Sequence, residues 1–166
     1  FFNASTRLTG VSQNAGFALI ASWSLRAAGV PVLYYACRSG MSQCVLGTVV
    51  GNLLDPMPCE GCIQEADRLT GAGPTVWLDY QRDSELENAL EALSLEQLKD
   101  FCYRDRPLGA LVLPSLRWVL RRHHLEPDPR SLLLYRRMII SAHQVARGFE
   151  ELLDRADPQA LVVFNG

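Results

Sequence analysis

No apolar stretch in this chain approaches the about 20 consecutive residues that a membrane-spanning helix needs, so no membrane span is expected. An excess of one charge is missing too. The 16 basic and 18 acidic residues leave a formal net charge of −2, too little to draw nucleic acid or anionic lipid over the whole surface, and no nucleic-acid partner is expected. No basic-then-apolar export signal precedes the first structured segment, which points to the cytoplasm. Cysteines are few and odd in number, five in all, which argues against a disulfide framework and for reduced thiols, metal ligands or simple burial. Position 1 is Phe rather than Met, and the chain stops at Asn165-Gly166 just after an apolar run. The expectation is therefore one domain over residues 1–166, the N-terminal half of a larger two-domain protein. A chain of this length hides about 70% of its extended surface, enough for an ordinary core.

Four short apolar runs read as strands: Phe1-Phe2-Asn3-Ala4, residues 30–36, Thr75-Val76-Trp77-Leu78-Asp79, and residues 160–165. Between the first two lies a polar loop and then a helix over residues 15–28, with Phe17, Ile20, Ala21 and Ser24 at helical spacing on one face and Gly29 in the place of a C-terminal cap. Strand, helix and strand in about 36 residues make a βαβ unit, whose right-handed crossover imposes a parallel sheet. The expected fold is α/β, a Rossmann-like parallel sheet of about four or more strands flanked by helices, with a largely helical insertion before the last strand. Within that insertion Ser94 and Gln97 form a capping box, Pro107 opens a helix running to about His124, and Asp128-Pro129 starts the clearest helix. The last carries Leu132, Tyr135, Ile139, Ala142, Ala146, Phe149 and Leu153 in alternating steps of three and four.

Chemistry is sought first in the loop after the first strand, because ligands of open parallel sheets sit outside the carboxyl ends of the strands, where helix N-termini present unpaired N–H groups. Gly10, Val11, Ser12, Gln13 and Asn14 occupy that place and offer close backbone approach with neutral groups suited to hydroxyls or phosphate oxygens. The spacing matches neither the dinucleotide G-x-G-x-x-G pattern nor the P-loop, and the plain alternative is a turn that caps a helix. Cys37, Cys44, Cys59 and Cys62 form a C-x6-C-x14-C-x2-C pattern. Four thiolates suit zinc or an iron–sulfur cluster, Cys59 and Cys62 alone suit a redox dithiol, and burial as small apolar residues is the remaining reading. Cys102 stands alone and is assigned to the core.

Arg117, Arg121, Arg122, His123 and His124 gather at a helix end, where cations complement the dipole, and no ladder of aromatic residues turns them into a nucleic-acid surface. His143 reads as a hydrogen-bonded packing residue, and no nucleophile motif accompanies it. Asp83, Glu85 and Glu87 read as a solvated acidic loop. Asp79, at a strand end, is the first residue to examine as a catalytic base.

Several segments together resemble the N-terminal half of glycosyltransferase-like proteins of surface (capsular) polysaccharide biosynthesis. These are residues 16–29, the strand ending at Cys37, Met41-Ser42-Gln43-Cys44-Val45-Leu46-Gly47, the Cys59/Cys62 pair, Pro107-Leu108-Gly109, Pro114-Ser115-Leu116-Arg117, the long Arg-rich helix and Val162-Val163-Phe164-Asn165-Gly166. The resemblance implies a GT-B arrangement of two Rossmann-like domains facing across a cleft. A C-terminal domain would bind the nucleotide-sugar donor, and this domain would take the saccharide or glycoconjugate acceptor through residues 10–14 and Asn165-Gly166. It transfers no role to the cysteines. Two other classes stay open: a non-catalytic binding or assembly module stabilised by a cysteine-held metal, and a thiol redox protein using Cys59 and Cys62.

Overall fold

Caps that can be read in the sequence set most helix boundaries in the computed structural model, which describes residues 1–4, 10–49, 51–52, 55–71 and 73–163. Ser12 begins α1 (Gln13–Ala27) by accepting a hydrogen bond from the Ala15 amide. Gly29, at φ 79°, ends the same helix: its N–H donates to the Arg26 carbonyl and the Val30 N–H to the Leu25 carbonyl, the paired bonds of a Schellman motif. The strands are β1 (Tyr34–Arg38) and β2 (Thr75–Asp79), followed and preceded by a 3-10 turn (Val45–Gly47) and α2 (Cys59–Thr70). The later helices are α3 (Ser84–Glu91), α4 (Leu95–Lys99), α5 (Leu108–Leu120) and α6 (Pro129–Ala156).

The expected sheet of four or more strands is corrected. Among the described residues the chain is mostly helical, with six α-helices and one sheet of two parallel strands, β1 and β2. The run at residues 1–4 supplies only an isolated parallel bridge, Phe2 to Tyr35. Residues 160–163 form no strand, although the Phe2 N–H donates to the Val162 carbonyl at 2.9 Å, and residues 164–166 lie outside the described residues. An apolar run of four or five residues is compatible with a strand or with a covered extended segment. Only a continuing ladder makes it a strand; residues 1–3 exchange backbone hydrogen bonds with Leu33, Tyr35 and Val162, but among the described residues this pairing amounts to an isolated bridge.

The chain divides into two compact units, one of Phe1–Gly40, Pro58–Asp79 and Arg147–Gly166, the other of Met41–Met57 and Tyr80–Ala146. In the first, β1 and β2 pair from Tyr34↔Thr75 to Arg38↔Asp79 with α2 as the crossover. Side chains alternate across a strand, so Ala36 and Tyr35 face opposite ways. Ala36 packs with Ala15 of α1 and Ala66 of α2, all fully buried, and with Trp77. Such small residues let both helices lie close on one face of the pair. Tyr35, on the other face, meets Phe2 and Phe149 with ring centroids 5.5 and 6.0 Å away. A Cβ at Gly148 of α6 would stand 2.6 Å from the Tyr35 hydroxyl, so only glycine admits this approach.

The face of α1 that carries Phe17 and Ile20 is not the buried one: these residues are 62% and 65% exposed, whereas Ala15, Ala18, Leu19 and Ser22 are covered. The fully buried Tyr34 explains the choice, since its hydroxyl donates to Ser22 Oγ at 2.9 Å and draws the small-residue face inward.

The second unit is built from helices. Ser94 and Gln97 form the expected capping box on α4. Asp128 caps α6 twice, accepting from the Ser131 N–H at 3.0 Å and from its hydroxyl at 2.7 Å. Leu86, Leu98, Leu108, Leu116, Leu134, Tyr135 and Ile139 form its fully closed core. Tyr135 and Ile139 come from the stripe on α6 that the three-four spacing identifies. Asp83, Glu85 and Glu87 are not a loop: Asp83 caps α3 by accepting from the Leu86 N–H, and the two glutamates lie in its first turn. No helix among the described residues is long and apolar enough to cross a membrane.

Candidate ligand-binding edge

Topology brings several groups to the carboxyl edge of β1 and β2. Residues 71–74 link the end of α2 to the start of β2, and Thr75 Oγ1 donates to Thr70 Oγ1 at 3.1 Å, so the last turn of α2 lies at the opposite, amino edge. A Cβ on Gly73 would meet Tyr34 at 2.6 Å and Arg26 at 3.1 Å, which sets the end of α1 at that edge as well. At 1.5 Å per residue α1 and α2 span about 22 and 18 Å, so both N-termini return to the carboxyl edge.

Gly10, Val11, Ser12, Gln13 and Asn14 form the entry to α1. Gly10 has φ 73° with open space where a Cβ would stand, and Val11 has φ 44°, a left-handed conformation that costs a β-branched residue on the order of 1–2 kcal/mol. Gly10, Val11 and Gln13 are exposed, Ser12 and Asn14 half-buried. Asn165 and Gly166, the other residues expected to bind, lie outside the described residues.

β1 and β2 end in a bidentate ion pair: Arg38 Nε and Nη2 each donate to a different Asp79 carboxylate oxygen at 2.7 Å. The guanidinium also lies 5.7 Å from the centre of the Trp77 ring. The hydrogen bonds from Arg38 hold the Asp79 carboxyl below the usual carboxylate range. Both side chains of the pair stand about half exposed at the strand ends. Arg38 was not apparent as a site residue from sequence, because the register that pairs it with Asp79 is a property of the folded strands. The chain then turns sharply: Ser39, at φ 55°, bridges antiparallel to Asp79, and Gly40 packs so closely on Leu78 that a Cβ would be 2.5 Å from its carbonyl oxygen.

The cysteines do not converge. Cys37 is on the Tyr35 side of β1 by strand alternation, whereas α2, which carries Cys59 and Cys62, packs on the Ala36 side. Cys44 belongs to the other unit, where its N–H approaches Met57 Sδ at 3.0 Å. Among the described residues no group of three or more His, Cys, Asp or Glu side chains is placed to hold a metal ion. Cys102, expected in the core, is exposed.

A second polar cluster lies wholly within the other unit. His143 is fully buried, with Nε2 3.3 Å from Asp83 Oδ2 and its ring edge-on to Tyr103 at 5.1 Å. The Tyr103 hydroxyl is 3.3 Å from both Asp83 oxygens, and Arg104 approaches at 3.8 Å. Burial pushes the Asp83 carboxyl up, but the Leu86 N–H, the Tyr103 hydroxyl and the charges of His143 and Arg104 together hold it below its ordinary value. The cluster clasps α3, α6 and the Tyr103–Arg106 turn, and its histidine has no access to solvent.

A cavity of about 790 Å³ opens at the amino edge, lined mainly by apolar side chains including Phe1, Val32, Pro74, Phe149 and Leu161. Among its described lining residues the charged groups are the Arg26 guanidinium and the Phe1 ammonium, which donates to the Leu33 carbonyl at 2.7 Å. Compared with models of protein families, with curated proteins and with solved structures, the chain matches none.

Proposed function

We propose that this chain is the N-terminal, acceptor-side domain of a glycosyltransferase acting in surface polysaccharide or glycoconjugate biosynthesis. The observation that carries the reading is the position of Gly10, Val11, Ser12, Gln13 and Asn14, the residues that the sequence resemblance assigns to the acceptor, at the carboxyl edge where α1 begins. Hydroxyl-rich ligands are held by neutral donors and acceptors that exchange one water hydrogen bond for another, and Ser12, Gln13 and Asn14 supply such groups beside first-turn amides. The nucleotide-sugar donor is assigned to a C-terminal domain, and this chain alone is not expected to turn over, since stabilising a departing nucleotide diphosphate is left to that domain.

The test is an amide-resolved NMR titration with soluble oligosaccharides released from capsular polysaccharide. The expected result is saturable shifts centred on Gly10 to Asn14, with the Ser12→Ala/Asn14→Ala double variant binding about tenfold more weakly, as loss of two hydrogen bonds of about 0.5–1.5 kcal/mol each predicts. Saturable binding that leaves these amides unmoved overturns the assignment, as does cleavage of a nucleotide-sugar by this chain at an enzyme-like rate.

A further inference from the structure

We infer that Cys59 and Cys62 form a thiol–disulfide exchange couple at the carboxyl edge, with a low-molecular-mass disulfide as its oxidant. Both residues lie in the first turn of α2, three positions apart. Ideal helix geometry sets such Cα atoms about 5 Å apart, inside the range of roughly 4.4–6.8 Å that a disulfide spans. They share the helical stripe of Ala66 and Thr70, which are 0% and 1% exposed, so the two thiols leave the helix on one side. Neither thiol is shut in: both are half-buried, at the rim where the stripe emerges from under β1. None of the five cysteines is in a disulfide, and Cys37 stands on the opposite side of the strand from the pair. Pro58, in the cap position, has no side-chain oxygen to occupy the first-turn amides beside Cys59.

The exchange balances without any other reactant. The Cys59 thiolate attacks one sulfur of the oxidant RSSR, forming a mixed disulfide and expelling RS⁻, which takes up the proton released from Cys59. The Cys62 thiolate then attacks the Cys59 sulfur, closing the intramolecular disulfide and expelling the second RS⁻ with its proton. Two electrons pass from the cysteine pair to the oxidant, giving two RSH. Because Ala66, one turn on, already fixes α2 against Ala15 and Ala36, closing the bond leaves the core contact in place.

Reduced protein is equilibrated anaerobically in glutathione buffers of stepped potential, quenched with an alkylating agent and mapped by peptide mass. The expected result is a single two-electron transition in which two of the five thiols disappear together, with Cys59 and Cys62 joined and Cys37, Cys44 and Cys102 alkylated. In Cys59→Ser or Cys62→Ser, with helical circular dichroism unchanged, the remaining partner should accumulate one glutathionyl group and no intramolecular bond. Independent glutathionylation of Cys59 and Cys62 in the wild-type chain, or a first-formed disulfide involving another cysteine, overturns the inference.

Discussion

Gly40→Ala is the sharpest perturbation of the candidate edge. An alanine Cβ built on this backbone would lie 2.3 Å from Leu78 Cγ and 2.5 Å from the Leu78 carbonyl oxygen. Ordinary carbon contacts begin at about 3.5 Å, so the turn must retreat by on the order of 1 Å. The obstacle includes backbone of β2, which cannot rotate aside as a side-chain tip does. Retreat pulls on the Ser39–Asp79 bridge and on the Gly40 N–H, which donates to Cys37 Sγ at 3.3 Å. Overpacking of this kind costs about 1–3 kcal/mol, and loss of one hydrogen bond adds about 1 kcal/mol, so a destabilisation of about 2–4 kcal/mol is expected. Urea unfolding followed by circular dichroism measures the total. Amide exchange locates it, with β1 and β2 losing protection and Leu98 and Leu134, in the helical unit, retaining theirs. A variant within about 0.5 kcal/mol of the parent and with unchanged exchange at Ser39 and Asp79 would refute the close approach of Gly40 to β2.

Tyr35→Phe should stabilise the protein: the hydroxyl is buried with no hydrogen-bond partner among the described residues, burial pushes its pKa up to about 12, and removing an unsatisfied group of this kind returns about 1 kcal/mol. A fall of 1 kcal/mol or more in urea unfolding would mean that the hydroxyl is bonded. Asp128→Ala should cost about 0.5–2 kcal/mol at neutral pH through loss of the double cap on α6. Hydrogen bonds from Ser131 hold the Asp128 carboxyl below its ordinary value of 3.8, so its contribution is fully present above that value and is lost as pH falls through the folded pKa. The gap in unfolding free energy between parent and variant should therefore narrow in acid, and a gap independent of pH would show that charge plays no part in the cap.

Local signals were legible wherever one residue and its near neighbours decide the outcome. Ser94 with Gln97, Asp128 with Pro129, and Gly29 after α1 each act within a single turn, and each is found where the sequence places it. The run at residues 75–79 also became a strand over its whole length. The failures share a cause. Phe1-Phe2 and residues 160–163 have the composition of strands and share backbone hydrogen bonds with β1 or with each other, yet among the described residues their pairing stops at an isolated bridge, and pairing is a property of two segments at once. Phe17 and Ile20 are apolar enough to be buried, yet the helix turned inward the face that carries Ala15, Ala18, Leu19 and Ser22, where Tyr34 bonds Ser22 and Ala36 packs on Ala15.

The candidate site divides along the same line. From sequence alone came the loop at Gly10 to Asn14, the Cys59–Cys62 spacing and the strand-end position of Asp79, since each is a local pattern with a local physical reason. Only the tertiary structure could join Arg38 to Asp79, separate Cys37 from Cys59 and Cys62 across a strand, and turn Asp83 from a supposed solvated acid into the cap and partner of a buried His143. Those outcomes depend on strand register and on which face each helix presents, and both are set by packing between residues distant in the chain.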